Sequence, residues 1–545
     1  MAIIEPVELR LRFLGEPMGV LAYRPDGPLH ALALDASFLA KGHELSPLNL
    51  SNSLFAGGLR ELRPGDTPFA DGLPGLIADS LPDAWGRRMQ EAEFPGLQTT
   101  IGKLAAIGNR GPGAITYEPT LTGPARDKQQ TADLPALARN AEALNKSPGP
   151  LGTGHVDAAL ASSGSPLGGA FPKITGHLVL DRDFLDRREI LVGGETPPGY
   201  TPCIVKLARS DNNSEGAVEY AFTQMARNAG IATPKTSLVF DGERLHFAVA
   251  RFDRFVRPDN TIGRRHVHTL SGILHRQAAD GAIDYEDFMR LSRNLGSAKD
   301  AAECYRRSVF NILSANRDDH GRNHSFLYDE KTRTWSLAPV YDLTPNLSSR
   351  LIGMKWLGSL EIPQKYDTLA RLATIGGLSP AKAREIYEQV EEATLGGWRT
   401  EADRAGVAKA DTELWALEME KQTHALRLDA AKRFLARPRA TRSRPLPEDP
   451  GAKTPTTAAE LVARLQPLRE LFAKAAPAAR QNMLSGGLAF LDEIGGAGAT
   501  GLPLRAAAKD FVEGQGSREI LEKRASEHFG ALLKANVLAR NRGHS

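Results

Sequence analysis

The chain has 545 residues, of which 41% are hydrophobic and 24% charged, as is typical of a globular protein with about two to four domains. Its formal net charge of +3 is too small to attract nucleic acid by itself. The two cysteines, Cys203 and Cys304, fit free thiols in a reducing compartment. No signal-peptide pattern and no run of about 18 apolar residues stands in the sequence. The composition therefore predicts a cytoplasmic protein without a membrane segment.

The first 125 residues predict a small α/β unit. The sequences VELRLRFLG, GVLAYRPDG and LHALALD predict three strands separated by turn residues. The sequence ADSLPDAWGRRMQEAEF then predicts a helix that opens with a capping Asp or Ser and has Pro82 near its first helical position. Residues 126–155 are polar and rich in Pro and Gly, which predicts a linker.

A glycine-rich loop, SSGSPLGGAFPK, follows this stretch and precedes the predicted strand ITGHLVL. Backbone N–H groups in such a loop, at Gly168 and Gly169, are suited to wrap phosphates. The loop is not a Walker A motif, because no Gly precedes Lys173 and no Ser or Thr follows it. From these residues alone, a plain surface loop is an equal alternative.

The sequence TPCIVKLARS predicts a buried strand that carries Lys206 among apolar neighbours, where a lysine is costly unless an anion pairs with it. EGAVEYAFTQMARNAGI predicts an amphipathic helix with Glu219 beside its apolar face. In protein kinases a strand lysine pairs with a helix glutamate and also contacts the ATP phosphates. The alternative is an edge-strand lysine whose ammonium reaches water.

The next predicted element is a hairpin formed by SLVF and LHFAVARFDRF. By position, Val249 to Phe252 would form a hinge between two lobes, where the backbone meets adenine and the Phe252 ring stacks on it. His266 and His268 are expected at the surface of a strand or loop. The sequence also predicts a structural ion-pair cluster of Arg251, Asp253 and Arg254.

The stretch with the most candidate catalytic and metal-binding residues runs from residue 311 to residue 346. The helical spacing before it places NRDDHGRN just after a helix end, and SFLY and WSLAPVY predict two strands joined by a polar turn. Asp342 is expected to end the second strand. Asp318 and Asn323 have the five-residue offset of the kinase catalytic loop, and Asp342 returns as a second carboxylate beyond the hairpin.

These oxygen ligands suit Mg²⁺, which is held by one or two carboxylates together with substrate phosphates. Asp319 competes with Asp318 for the role of catalytic acid, and the offset to Asn323 favours Asp318. The alternatives are a polar turn or helix cap, and a transition-metal site using His320 and His324. For the metal site, no third His or Cys lies nearby and no HExxH pattern is present.

Beyond this stretch, residues 351–436 predict helices, among them GLSPAKAREIYEQVEEA with Ser379 as its cap. Residues 437–456 form a Pro-rich basic linker, either a solvated tether or a contact for nucleic acid or an acidic partner. Residues 457–545 predict a helical module of unknown role.

NRDDHGRN followed by APVYDLTP closely resembles the signature of the HipA family, the kinase toxins of bacterial type II toxin–antitoxin systems. The sequences ALALD, SLPDAWGR, IGNRGPGAITYEP and ARFDRF, and the Lys-ended glycine-rich loop, extend the resemblance over residues 1–436. It implies an α+β, two-lobed fold distantly like protein kinases, with a mixed α/β N-terminal lobe and a mainly helical C-terminal lobe, plus the C-terminal helical extension. We therefore expect the N-terminal α/β subdomain at 1–125, the nucleotide-binding part of the N-lobe at 126–250 and the catalytic C-lobe at 251–436.

The resemblance also implies an ATP- and Mg²⁺-dependent protein serine/threonine kinase. Asp318 would be the catalytic acid/base and His320 would buttress its loop, while Asn323 and Asp342 would hold Mg²⁺. The cofactor-binding residues would be Gly168, Gly169, Lys173, Lys206, Glu219, Val249 and Phe252. Gly168 stands where family members that are switched off by autophosphorylation have a serine, so this chain departs from that pattern.

Such kinases pair with a helix-turn-helix antitoxin, and reach DNA through that complex. Their characterised protein substrates lie in translation, notably aminoacyl-tRNA synthetases. Two other hypotheses come from different classes. In the first, the chain is a catalytically inactive HipA-like protein that binds DNA or an antitoxin. In the second, it is a metal-dependent nuclease that uses the Asp cluster.

Overall fold

The computed structural model describes residues 4–24, 26, 29–121, 128–146, 158–163, 171–210, 214–278, 281–345 and 353–435, and then 461, 465, 506–511, 515, 517–525 and 527. The chain divides into two compact units, Met1–Ala436 and Arg437–Ser545. The predicted basic linker at 437–456, most of the predicted helical module and residues 164–170 of the glycine-rich loop lie outside the described residues. Within those residues, no helix combines the length and the apolar character needed to cross a bilayer.

The chain begins with a five-stranded antiparallel sheet in the order β4-β3-β2-β1-β5. Its strands are β1 (Glu8–Phe13), β2 (Glu16–Tyr23), β3 (His30–Leu34), β4 (Leu59–Leu62) and β5 (Ile115–Glu118). Leu9, Leu11 and Phe13 alternate with polar residues along β1 and are buried, as expected for a sheet with one face on the core. The helices of this part are α1 (Ala36–Ala40), α2 (Gly75–Ala78), α3 (Ala84–Glu93) and α4 (Thr100–Ile107).

A seven-stranded sheet follows in the order β6-β9-β7-β10-β12-β11-β8, and we call this part the N-lobe. Its strands are β6 (Gln130–Asp133), β7 (Lys173–Leu178), β8 (Phe184–Asp186), β9 (Glu189–Val192), β10 (Thr201–Lys206), β11 (Thr236–Phe240) and β12 (Leu245–Ala250). Its helices are α5 (Leu134–Lys146), α6 (Ala158–Ser163) and α7 (Glu215–Asn228). The pairs are antiparallel except for β8 with β11, so the predicted β11–β12 hairpin is confirmed.

The prediction of a linker over residues 126–155 was wrong for its central part. Residues 130–133 form an edge strand of the N-lobe sheet, and residues 134–146 form a helix with buried residues Leu134, Leu137 and Leu144. The apolar residues of this helix recur at three- and four-residue spacing. Pro and Gly on either side obscured that pattern.

The C-lobe is mainly helical. Its helices are α8 (Leu270–Leu274), α9 (Tyr285–Leu291), α10 (Ala298–Leu313), α11 (Tyr366–Gly376), α12 (Pro380–Glu391), α13 (Trp398–Ala405) and α14 (Lys409–Leu435). Short strands complete it: β13 (Arg254–Val256) with β14 (Ile262–Arg264), and β15 (His266–Thr269), β16 (Ser325–Asp329) and β17 (Thr334–Leu337) in one sheet. Ser379 caps α12 as predicted, because its hydroxyl accepts the N–H of Lys382. The predicted α+β, two-lobed fold is confirmed.

Two hydrophobic clusters hold these parts together. The larger one joins the first sheet and helix α7 of the N-lobe to the C-lobe; for example, the Phe13 and Tyr328 ring centroids lie 6.5 Å apart. The second is the core of the N-lobe around Ile174 and Val205, and it also contains Trp85 and Met89 of α3. Helix α3 therefore belongs by sequence to the first part of the chain and by packing to the N-lobe.

His266 and His268 are not at the surface, which corrects the prediction for them. Their residues are 3% and 0% exposed. His268 Nδ1 lies 2.6 Å from an Asp79 carboxylate oxygen, and its Nε2 lies 3.1 Å from the Ser46 hydroxyl. The first part of the chain covers strand β15, and this long-range contact leaves no trace in the local pattern of the strand.

Candidate active site

Lys206, the last residue of β10, joins two acids from distant parts of the chain. Its ammonium lies 2.6 Å from a Glu219 carboxylate oxygen of α7 and also contacts the Asp342 carboxylate. The Lys206 side chain is 18% exposed and that of Glu219 is 6% exposed, so both lie largely out of water, whereas the Asp342 side chain is 33% exposed. A strand lysine between a helix glutamate and a carboxylate beyond the β16–β17 hairpin is the arrangement of a kinase nucleotide site.

Lys206 and Asp342 favour each other's charged forms. Burial disfavours the Lys206 ammonium, but the Asp342 and Glu219 carboxylates outweigh burial and raise the pKa of Lys206. Burial also acts on Asp342, and there Lys206 and Lys173 prevail and lower the pKa of the carboxyl group. Burial, aided by Asp342, raises the pKa of Glu219 to about 6. Asp342 is therefore the more acidic of the two carboxyl groups.

Lys173 lies opposite Lys206 in the β7–β10 register. Directly opposed residues in an antiparallel pair project from the same face, so both side chains point to Asp342. The residue is 5% exposed, and burial, with Lys206 nearby, lowers the pKa of Lys173 to about 8 against the attraction of Asp342. Two ammonium groups on one buried face are suited to bind polyphosphate. Gly168 and Gly169, predicted to act with them, fall outside the described residues.

Asp342 lies beyond a strand that is shorter than predicted. Strand β17 ends at Leu337 instead of at Asp342, because Pro339 has no N–H to continue the ladder. The chain then crosses to the N-lobe, where the Val340 N–H donates to the Ala232 carbonyl at 2.8 Å. Asp342 has a φ of 58°, a left-handed conformation that is rare outside glycine and frequent at functional sites.

Helix α10 delivers the loop that contains Asp318. The loop is closed on itself, since the Asn323 side-chain amide donates to the Asp318 carbonyl at 2.7 Å and the Asn323 N–H donates to the His320 carbonyl at 2.9 Å. The Asp318 side chain is 46% exposed, and its carboxylate lies 3.9 Å from His320 Nε2. Burial and Asp342 raise the pKa of Asp318, while His320 and Lys206 oppose them. These four groups therefore act on one another within a single site.

The neighbouring acid, Asp319, points into the core. It is 4% exposed and accepts a hydrogen bond from the Tyr285 hydroxyl, which itself accepts from the Asn311 side-chain amide at 2.9 Å. Burial raises the pKa of Asp319 to about 6. The Tyr285 ring stacks on Trp356 with 3.9 Å between centroids. The structure thus places Asp319 inside the C-lobe and leaves Asp318 accessible.

The donor set at Asn323 and Asp342 fits Mg²⁺. The Asn323 amide is oriented by its nitrogen, which leaves its oxygen as the atom for a cation, and Asp342 is held ionised by two lysines. One amide oxygen and one carboxylate are hard ligands of the kind Mg²⁺ takes beside phosphate oxygens. Among the described residues, no group of three His, Cys, Asp or Glu side chains is arranged to hold a metal ion.

The predicted hinge residues end up in different environments. Val249 pairs with Ile204 and Thr236 inside the N-lobe sheet. Phe252 lies past the end of β12, and its ring centroid is 5.5 Å from that of Tyr341, next to Asp342. Phe252 therefore lies beside the residue that precedes Asp342, and this neighbouring ring, Tyr341, was not predicted from the sequence.

The predicted ion-pair cluster is present and is more extensive than the sequence indicated. Asp253 pairs with Arg251 at 2.9 Å and with Arg254 at 2.6 Å, and these side chains are at most 9% exposed. The Arg251, Arg254 and Arg264 guanidinium groups all donate to the Gly111 carbonyl, at 2.9 to 3.2 Å. The cluster therefore fastens the IGNRGPG segment to the start of the C-lobe.

Two domain models and several known proteins match this chain. The HipA N-terminal domain matches residues 9–118 and the HipA-like C-terminal domain matches residues 165–398, which together make up more than half of the chain. A Sinorhizobium fredii protein named "Putative kinase Y4mE" is 26% identical over 300 residues, 53% of this chain and 61% of that protein. Another from the same organism, "Putative kinase Y4dM", is 31% identical over 157 residues, 26% of this chain and 36% of that protein. The chain thus spans less than two thirds of either relative.

The solved structure of HipA from Shewanella oneidensis MR-1, in complex with HipB and operator DNA, has the same fold. It superposes with a TM-score of 0.55 at 15% sequence identity, covering 78% of this chain and 97% of that one. The two matching domains and this shared fold show that the chain belongs to the HipA family.

Proposed function

We propose that this protein is an ATP- and Mg²⁺-dependent serine/threonine protein kinase of the HipA type. One observation carries the proposal: Lys206 bridges Glu219 and Asp342, which come from a helix and from the segment beyond the hairpin. This juxtaposition joins the phosphate-binding lysine to a ligand for magnesium. The Asp318 side chain is partly exposed and interacts electrostatically with Asp342 and Lys206, so its carboxylate is placed to accept the proton of an acceptor hydroxyl.

The side chains have separate roles in transfer. Lys173 and Lys206 bind the phosphates and neutralise their charge. Asp318 orients the acceptor hydroxyl and takes its proton as the hydroxyl oxygen bonds to the γ-phosphorus and the bond to the β–γ bridging oxygen breaks, releasing ADP. His320 lies beside Asp318 and favours its ionised form. Mg²⁺ held by Asn323 and Asp342 would supply further charge neutralisation on the phosphate oxygens.

Three further assignments go with this proposal. We propose that the subdomains are 1–125, 126–250 and 251–436, followed by the 437–456 linker and the 457–545 module. We propose a cytoplasmic protein whose substrate is a host protein, such as an aminoacyl-tRNA synthetase, and whose phosphorylation arrests growth. By likeness to the Shewanella HipA, which was solved with HipB and operator DNA, we propose a helix-turn-helix antitoxin as partner and DNA contact through that complex.

The test measures transfer of labelled γ-phosphate from ATP to host-lysate proteins. Asp318→Asn and Asp342→Asn should abolish transfer and preserve folding, because both remove charge without changing side-chain size. Asp319→Asn is the matched control and should retain transfer, since Asp319 points into the core. MgATP should also raise the melting temperature of the wild type. Full transfer by Asp318→Asn or Asp342→Asn would contradict the assignment. Binding of MgATP without transfer by the wild type would favour the inactive regulatory partner.

A further inference from the structure

Residues 79–85, which we call the interlobe strap, cross from one hydrophobic cluster of the protein to the other. Just before the strap, Leu73, Leu76 and Ile77 lie in the cluster that contains the C-lobe. At and after its end, Trp85 and Met89 lie in the core of the N-lobe. A single short stretch of chain is therefore anchored on both sides of the candidate active site.

The beginning of the strap is fixed to the C-lobe by Asp79. Its carboxylate accepts hydrogen bonds from the Thr269 N–H and hydroxyl, both at 2.7 Å, and pairs with His268. Burial opposes ionisation, but His268 and Thr269 outweigh it and lower the pKa of Asp79. This end of the strap is a buried carboxylate fixed by Thr269 and His268.

Asp83 connects the strap to the catalytic loop itself. It occupies the N-cap position of α3, where an aspartate ordinarily accepts a backbone N–H, yet its side chain makes no capping bond. Its carboxylate pairs instead with Arg322, which lies between His320 and Asn323 in the loop. Both side chains are about a quarter exposed, and the Arg322 carbonyl accepts the Tyr341 hydroxyl at 2.6 Å.

Trp85 connects the strap to the phosphate-binding strand. Its indole N–H donates to the Lys173 carbonyl at 2.7 Å, and this contact is fully buried. Lys173 stands opposite Lys206 in the sheet, so the indole fixes the strand end that presents both ammonium groups. Asp83, which contacts the catalytic loop, and Trp85, which contacts the N-lobe, are two positions apart, with only Ala84 between them.

We propose that the interlobe strap sets the separation between the phosphate-binding lysines and the catalytic loop, with Asp83 and Trp85 as positioning residues. Two extended residues span at most about 7 Å. The lobes therefore cannot part at this point without breaking the Asp83–Arg322 or the Trp85–Lys173 contact. The proposal rests on the kinase function, because the distance it fixes is the one across which phosphate transfer would occur.

The test exchanges the charges of the pair. Turnover of MgATP is followed by release of inorganic phosphate, which needs no protein acceptor. Asp83→Arg and Arg322→Asp should each lower kcat about tenfold or more, because small misplacements across an active site have effects of this size. The double exchange should restore kcat to within about threefold of wild type. Glu118→Arg is the control, since Glu118 pairs with Arg12 inside the first sheet and not across the lobes.

A second variant tests the other contact. Trp85→Phe keeps an aromatic ring in the core and removes the indole N–H, so the Lys173 carbonyl loses this donor. It should raise the KM for MgATP more than it lowers kcat, because Lys173 belongs to the phosphate side of the site. Single exchanges with wild-type kcat, or a double exchange no better than the singles, would overturn the proposal.

A distance measurement separates the strap from the kinase function. Spin labels on Glu243→Cys in the N-lobe and Arg290→Cys in the C-lobe occupy exposed side chains, whereas the native Cys203 and Cys304 are buried. The interlobe distance distribution should broaden in Asp83→Arg and narrow again in the double exchange. A wild type that transfers no labelled phosphate to lysate proteins refutes the kinase function, and an unchanged distance distribution refutes the strap.

Discussion

The buried carboxyl group of Asp319 gives a prediction with a definite sign and size. Its pKa is raised to about 6, against about 3.9 for an aspartate in water. The folded state therefore binds the Asp319 proton more tightly than the unfolded state does, and the wild type loses stability as the pH rises from about 4 to about 6. A shift of about two units corresponds to about 3 kcal/mol. With the residue 4% exposed, little of this is screened by solvent.

Asp319→Asn removes this titration and keeps a group that accepts the Tyr285 hydroxyl. The variant should gain about 2 to 3 kcal/mol in free energy of unfolding, relative to wild type, between pH 4 and pH 7. Urea denaturation of both proteins at the two pH values measures the difference, and other titrating groups such as Glu219 cancel in the comparison. A difference that stays constant, or that changes in favour of the wild type, would refute the reasoning.

Three other substitutions probe the contacts described above, each by urea denaturation. Lys206→Met leaves two neighbouring carboxylates without their cation and should lower the free energy of unfolding by about 3 kcal/mol. This is the low end of the range for a broken buried pair, because Asp342 is one-third exposed. An unchanged free energy of unfolding would contradict the buried bridge. Tyr285→Phe should cost about 1 to 3 kcal/mol by unpairing Asp319, whereas Tyr387→Phe, whose buried hydroxyl has no partner among the described residues, should cost less; equal costs would argue against the bond. Asp253→Asn should cost about 3 to 5 kcal/mol, and the exposed Asp259→Asn much less.

Local patterns predicted most strands and helices, because periodicity and capping depend on residues that are close together in the sequence. The β11–β12 hairpin, the strand that carries Lys206 and the cap of α12 all have such signals. The wrong predictions have other causes. Burial of His266 depends on a covering layer that is distant in sequence, and α5 was hidden by the Pro and Gly around it.

The candidate site was predictable to the extent that its residues lie in short motifs. The five-residue offset of Asp318 and Asn323 singled out one of two adjacent acids, and the structure places the other acid in the core. The ion pair of Asp83 with Arg322 was not predicted. Helix capping alone explains an aspartate at the start of a helix, so the residues around Asp83 do not indicate a distant cation.

The packing of helix α3 limits how the first domain can be exchanged between related proteins. The helix lies inside the stretch matched by the HipA N-terminal domain, yet Trp85 and Met89 fill the core of the following lobe. Removing the first domain would open that core, and exchanging it for one from a relative would bring a foreign helix into it. The two matched domains therefore depend on each other for folding, and a functional chimera needs α3 and the N-lobe taken from the same parent.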